Sequence, residues 1–304
     1  MTLALLILGL AGLFFGGDWL VKGASGIAQR FRVSPLLIGL TIVGFGTSTP
    51  ELMVSLEAAL IDRPGIAIGN VIGSNIANIL LILGLSAAIG PLAAPFVKLR
   101  RDLAWMLAAA ALTLPLFWSG FVGRLEGLIL VTGIAAYVLT NLRQVGNEAA
   151  SDEALAPLWR AVLLAVFGLG LVLVGARLLV DSASELARAF GVSEAVIGLT
   201  IVAVGTSLPE LATSVIAALR GEREIALGNV IGSNIFNVFA ILGLTALIAP
   251  IPVEPRFMTT DVPVMLAASL LLIAALWLND GLSRRAGLVF LGLYAAYAAA
   301  MALF

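Results

Sequence analysis

Along the 304 residues, long apolar runs alternate with short breaks of charged, proline or glycine residues. About 20 apolar residues suffice for a helix to cross the roughly 30 Å hydrocarbon layer of a bilayer. The runs predict ten such helices, near 2–26, 33–60, 66–90, 103–120, 125–142, 160–186, 192–219, 225–249, 262–278 and 286–303. The expected fold class is an all-α polytopic membrane protein. No basic segment precedes the first run, whose first charge is Asp18, so it reads as a membrane helix rather than a cleaved leader.

The pattern repeats itself. Ile38–Pro91 aligns without gaps on Ile197–Pro250, with 34 identities in 54 pairs. One copy contains GTSTPE (Gly46–Glu51) and GNVIGSNIANI (Gly69–Ile79); the other contains GTSLPE (Gly205–Glu210) and GNVIGSNIFNV (Gly228–Val238). The chain therefore divides into halves of five helices, 1–142 and 160–304, joined by a short linker over 143–159. An odd number of spans per half turns the second copy upside down in the bilayer, the inverted-repeat plan of secondary transporters. With the N-terminus outside, twelve of the 17 Lys and Arg fall on the inner side and five on the outer. That bias expects a multi-pass cell-membrane protein with both termini outside and the linker in the cytoplasm.

Composition narrows the chemistry. The chain is 61% hydrophobic and 12% charged, with a mean hydropathy of +1.11, which leaves no room for a sizeable soluble domain. It has neither cysteine nor histidine, so disulfides, thiolate or imidazole metal sites and the usual general base are excluded. A net charge of −1 argues against a nucleic-acid partner. What remains is hard oxygen chemistry: carboxylates, hydroxyls, amides and backbone carbonyls.

Glu51 and Glu210 lie in the middle of their apolar runs. An acidic residue at that depth costs about 2.5–3.5 kcal/mol and is a functional-site hypothesis by default. A structural ion pair is the bland alternative, but no basic residue is expected at mid-span, so a cation from solution is the better partner. Pro50 and Pro209 lack the N–H that would bond the carbonyls of Gly46 and Gly205, which opens the backbone around Thr47 and Thr206. Thr47 and Ser48 share the face of Glu51, four and three residues before it. On the next helix Asn70, Ser74 and Asn78 form a polar stripe about 12 Å long, repeated by Asn229, Ser233 and Asn237. Helix–helix glue is the alternative for such a stripe, and it fits Asn70 and Asn229 at least as well as ligation does. Asn75 and Asn234 fall off the stripe and read as packing. Asp18 with Lys22, and Arg177 with Asp181, read as interfacial i,i+4 pairs, Glu57 at best as part of an access route, and Trp19, Trp105, Trp118, Trp159 and Trp277 as an interfacial belt.

Two carboxylates with neutral oxygens suit calcium, which takes six to eight oxygens at about 2.3–2.6 Å, and sodium binds similar oxygens. Magnesium sheds its water too reluctantly, and transition metals lack their preferred ligands. With these motifs in hand, the sequence resembles the cation/calcium antiporter superfamily, in particular prokaryotic sodium/calcium exchangers, over nearly its whole length. The resemblance implies four ion sites walled by the second, third, seventh and eighth helices. It implies that Glu51 and Glu210 bind calcium with the carbonyls of Thr47 and Thr206. It places Ser48, Ser74 and the Gly44 carbonyl at one flanking sodium site, Ser207, Ser233 and the Ala203 carbonyl at the other, and Asn78 and Asn237 at the middle. It also implies that the first and sixth helices slide to switch access. One departure is that many such exchangers carry aspartate at the position of Asn237 or at both middle positions, which puts potassium co-transport in doubt.

The expected function is exchange of calcium for sodium by alternating access. A calcium/proton antiporter is the alternative, since a vacant buried carboxyl can hold a proton in place of sodium. A passive cation channel is disfavoured by the two opposed repeats, and a hydrolase by the lack of any nucleophile with a base. The expected partners are calcium and sodium ions and the lipid bilayer, with no cofactor, no enzymatic activity and no obligatory protein partner.

Overall fold

The computed structural model describes residues 2–142, 157–191 and 203–302. They are almost entirely helical. Helix α1 is Thr2–Phe31; α2 (Pro35–Thr47) and α3 (Thr49–Leu60) form one rod bent by 42°. Then come α4 (Pro64–Ile89), α5 (Phe96–Phe117) and α6 (Arg124–Leu142). The second half gives α7 (Leu158–Ala189), the short α8 (Ala203–Gly205), α9 (Leu208–Arg220), α10 (Arg223–Ile248), α11 (Phe257–Asn279) and α12 (Arg284–Ala302). Five helices are long and apolar enough to cross a membrane, six if α2 and α3 count as one span, among the described residues. Most of the linker expected over 143–159, residues 143–156, and the first part of the expected 192–219 helix lie outside the described residues.

Local chemistry sets the breaks. Ser34 caps α2 by accepting from the Leu37 N–H at 3.2 Å, with Pro35 at the first helical position, where its missing N–H costs nothing. Pro50 and Pro209 sit near the starts of α3 and α9, so the bend falls at Ser48 and Ser207, both with ψ near zero. Gly221 closes α9 in the left-handed conformation, φ 78°, that glycine adopts freely. Helices α5 and α11 start earlier than expected, at Phe96 and Phe257: Lys98, Arg100 and Arg101 continue α5 instead of ending it, and α11 opens with a π-helical turn, Phe257–Asp261.

Among the described residues four stretches are π-helical, including Gly39–Val43 in α2 and Phe257–Asp261 in α11, and two of the four fall at matching places in the two halves. Asn78–Leu83 and Asn237–Leu242 are π-helical stretches inside α4 and α10. Such insertions are rare and occur often at functional sites.

The core is the α4–α10 pair. Ile68, Val71, Ile72 and Ile76 of α4 and Leu227, Val230, Ile231 and Ile235 of α10 are fully buried. Around it, α1 lies along α7 through small residues. A Cβ at Gly16 would stand 2.7 Å from the Val172 nitrogen, and one at Gly175 2.8 Å from that of Leu13, so these glycines permit backbone contact that no other residue allows. Two short antiparallel ladders tie the halves together. Strand β1 (Leu92–Ala93) pairs with β4 (Gly281–Leu282), and β2 (Phe121–Val122) with β3 (Ile251–Pro252).

The outer helices hold two ion pairs that the sequence reading passed over. Asp102 is buried beside Arg101 (3.2 Å), whose guanidinium also donates to Asn141 at 2.6 Å. Asp261 is buried beside Arg256 (3.3 Å) and accepts from the Tyr297 hydroxyl at 2.8 Å. The 159-residue offset carries Asp102 onto Asp261, a signal that extends the repeat beyond the aligned block. Trp105 is not part of a belt: its ring packs on Tyr137 and Phe239, at 5.9 and 6.1 Å between centroids. Trp19, Trp118, Trp159 and Trp277 are exposed.

Candidate ion-binding site

Both glutamates are brought to the bends and are fully buried, at 0% exposure. Each is held by the opposite half. The Ser48 hydroxyl donates to Glu210 Oε1 at 2.8 Å, and the Ser207 hydroxyl donates to Glu51 Oε1 at 3.1 Å. Ser233 donates to Glu210 Oε1 at 3.4 Å and lies 3.3 Å from the Gly44 carbonyl; Ser207 and Ser74 are 3.2 Å apart. The grouping is therefore crossed relative to the one the resemblance implied: Ser48 and the Gly44 carbonyl gather with Ser233, and Ser207 gathers with Ser74. Ala203 opens α8 at the edge of the described residues.

The bends are braced by the stripe. Asn70 Nδ2 donates to the Glu51 carbonyl (3.0 Å) and to Ser55 (2.9 Å), while its Oδ1 accepts from the Thr206 hydroxyl (3.3 Å). Asn229 repeats this with the Glu210 carbonyl (3.3 Å), Ser214 (2.9 Å) and the Thr47 hydroxyl (3.1 Å). Asn70 and Asn229 are thus glue. The threonine hydroxyls are engaged with asparagines, which leaves the threonine backbone carbonyls as what these residues can offer an ion.

No basic side chain forms an ion pair with either glutamate among the described residues. Asp18 is bridged by Lys22 (2.8 Å) and by Arg220, and Arg177 to Asp181 (3.8 Å) is an exposed pair. Glu57 is exposed on α3. Four buried oxygens of the site have no hydrogen-bond partner: Glu51 Oε2, Glu210 Oε2, Asn78 Oδ1 and Asn237 Oδ1. An orphaned buried acceptor costs about 1–3 kcal/mol, more when charged. Four together, two of them carboxylate, make a cradle that wants cations. No group of three or more Asp, Glu, His or Cys gathers among the described residues, so the cradle holds two carboxylates and neutral oxygens.

The sequence reading missed Asn75 and Asn234. Asn75 Nδ2 lies 3.3 Å from the Asn234 carbonyl and Asn234 Nδ2 3.3 Å from the Asn75 carbonyl; their Oδ1 atoms accept from Asn237 Nδ2 (3.0 Å) and Asn78 Nδ2 (2.9 Å). These residues join α4 to α10 and do more than fill space.

Comparison with known proteins agrees with this chemistry. The family model for the sodium/calcium exchanger protein matches residues 1–143 and 160–303. The sodium/calcium exchanger MaX1 of Methanosarcina acetivorans is 34% identical over 336 residues, covering 96% of each chain. The Ca(2+)/H(+) antiporter ChaA of Bacillus subtilis is 27% identical over 274 residues, covering 81% of this chain and 77% of its own. Among solved structures, the sodium-calcium exchanger NCX_Mj soaked with zero Na+ and Ca2+ superposes with a TM-score of 0.89 at 37% identity, over 99% of this chain and 98% of that one. A repeat built on two counter-charge-free glutamates and a family match over almost the whole chain lead to one conclusion: this is a multi-pass membrane protein that belongs to the sodium/calcium exchanger family of cation/calcium antiporters.

Proposed function

We propose that this protein exchanges calcium for sodium by alternating access around one buried cage built on Glu51 and Glu210. The observation that carries the reading is the set of four unpartnered buried oxygens, with no protein cation beside them. Calcium at the centre is met by the two carboxylates, the Asn78 and Asn237 amide oxygens and the carbonyls of Thr47 and Thr206. Sodium at the flanks is met by Ser48, Ser233 and the Gly44 carbonyl on one side, and by Ser207, Ser74 and the Ala203 carbonyl on the other. Two carboxylates neutralise one calcium or two sodium ions, so the two cargoes compete for the same charge. A third sodium would leave the loaded cage at +1 and make exchange electrogenic.

The transport geometry is ten spans in two inverted halves, both termini outside. Supporting it, the site contacts are reciprocal: Ser48 to Glu210 mirrors Ser207 to Glu51, and Asn75 to Asn234 mirrors the reverse. The ladders support inversion. Strand β2 follows α5 and β3 follows α10; they meet at one end of the bundle only if α10 runs opposite to α4. The glycine-lined α1–α7 contact suits a pair that slides across the core to switch access.

Proton coupling is the second reading, favoured by the likeness to ChaA. Calcium uptake into proteoliposomes under an outward sodium gradient or an outward proton gradient separates the two. Uptake driven by sodium and not by protons is expected; uptake driven by protons alone would replace sodium in the account.

A further inference from the structure

Asparagine is an ambiguous cation ligand. Its amide has an oxygen end and a nitrogen end of nearly equal size, and only the oxygen end attracts a cation. A site that relies on asparagine must therefore fix which end faces the ion. At Asn78 and Asn237 a chain of hydrogen bonds does so, and it starts at residues outside the cage.

The assignment follows from donors and acceptors alone. Asn75 Nδ2 faces the Asn234 backbone carbonyl at 3.3 Å and the Met265 sulfur at 3.5 Å. Both are acceptors, so turning the Asn75 amide over would set oxygen against oxygen and sulfur. Asn75 Oδ1 is thereby committed to the other direction, where it accepts from Asn237 Nδ2 at 3.0 Å. Asn237 must then present its nitrogen to Asn75, and its Oδ1 is left buried and unpartnered. The mirror chain runs from the Asn75 carbonyl and the Met106 sulfur (3.3 and 3.8 Å) through Asn234 to Asn78 Nδ2 at 2.9 Å, and leaves Asn78 Oδ1 unpartnered. All four asparagines are nearly or fully buried. Each anchor sits in the half opposite the residue it orients, three positions before that half's own middle asparagine, on the last turn before the π-helical stretch.

We infer that Asn75 and Asn234 are positioning residues for transport: they lock the amides of Asn237 and Asn78 oxygen-first, so that two neutral side chains act as dedicated acceptors for the ion. This rests on the reading that Asn78 and Asn237 line the cage, and it deepens that reading. It also gives the cage a requirement for both halves at once, since neither middle asparagine is oriented by its own repeat. Asn75 and Asn234 touch no ion.

The test uses the asymmetry of the amide. Aspartate offers oxygen at both ends and needs no orientation. Leucine is close to asparagine in shape and has no hydrogen bonds to give. Calcium affinity is read from the calcium-dependent rise in melting temperature of the purified full-length protein, which needs no turnover. Four proteins form a cycle: wild type, Asn75→Leu, Asn237→Asp, and both together. Asn75→Leu is expected to weaken calcium binding about tenfold in the wild-type background, a loss of roughly 1.4 kcal/mol, and less than twofold once Asn237 is aspartate. An equal loss in both backgrounds would mean that Asn75 only supports the fold, and no loss in either would mean that the amide needs no anchor; each overturns the inference. The mirror cycle of Asn234→Leu with Asn78→Asp decides the matter if Asn75→Leu lacks a cooperative transition. Asn237→Leu separates the two levels: wild-type affinity there would remove Asn237 from the cage itself, whereas a weakened Asn237→Leu beside an unaffected Asn75→Leu would leave the cage standing and sink the anchor alone.

Discussion

At Ser48 and Ser207 one hydroxyl is both a fixture for a carboxylate and a candidate ligand, because each holds the glutamate of the other half at 2.8 and 3.1 Å. A hydrogen bond to a charged group is worth about 1.5–3 kcal/mol. Ser48→Ala should therefore raise the sodium concentration needed for half-maximal calcium efflux by about tenfold or more, with a folded protein, and Ser207→Ala should do the same. An unchanged sodium dependence in both would take the serines out of the site. The glutamates themselves were legible in the sequence, since a carboxylate without a partner in an apolar run has few bland explanations. Asn75 and Asn234 were not. Angular arithmetic on one helix compares a residue with its own stripe, and these two act on the stripe of the facing helix, a relation that exists only after α4 and α10 have packed.

The elements show what periodicity reads and what it misses. The bends at Ser48 and Ser207 were foreseeable from Pro50 and Pro209 because proline removes a specific donor. The π-helical stretches beginning at Asn78 and Asn237 were not, because an extra residue in a turn is imposed by packing on both sides and leaves no mark in composition. Trp105 was misassigned for a related reason: an aromatic near the end of a predicted span suits a belt, yet the true start of α5 at Phe96 moves it inward against Tyr137. The α1–α7 contact gives an element-scale expectation. Gly16→Ala drives a methyl to within 2.7 Å of the Val172 nitrogen, an overpacking that typically costs about 1–3 kcal/mol, whereas the Cβ of Gly170→Ala meets no described atom within 4 Å. Thermal unfolding of the two variants should show a lowered Tm for the first and none for the second. Equal Tm values would mean that α1 and α7 are not in close backbone contact.

For the whole molecule, the repeat was readable as 34 identities in 54 pairs, and counting spans makes inversion an expectation. The pairing of β1 with β4 and β2 with β3 is a long-range consequence that two-residue strands give no way to foresee. Inversion predicts that the break before α4 faces outside and the break before α10 faces inside. Asp62 holds a left-handed φ of 61°, which disfavours substitution there, so single cysteines belong at Arg63 and Arg223, both exposed. In this cysteine-free chain an impermeant thiol reagent should label Arg63→Cys from outside and Arg223→Cys only from inside. Labelling of both from one side would contradict the inverted plan. Above topology stands the central claim, that one cage with two counter-charge-free carboxylates carries the calcium. It is tested most directly by calcium uptake into proteoliposomes under an outward sodium gradient, comparing wild type with Glu51→Gln and Glu210→Gln. Each variant removes half the cage's charge and strands no protein cation, so both should fold and both should lose uptake. Wild-type uptake by either one would contradict the account.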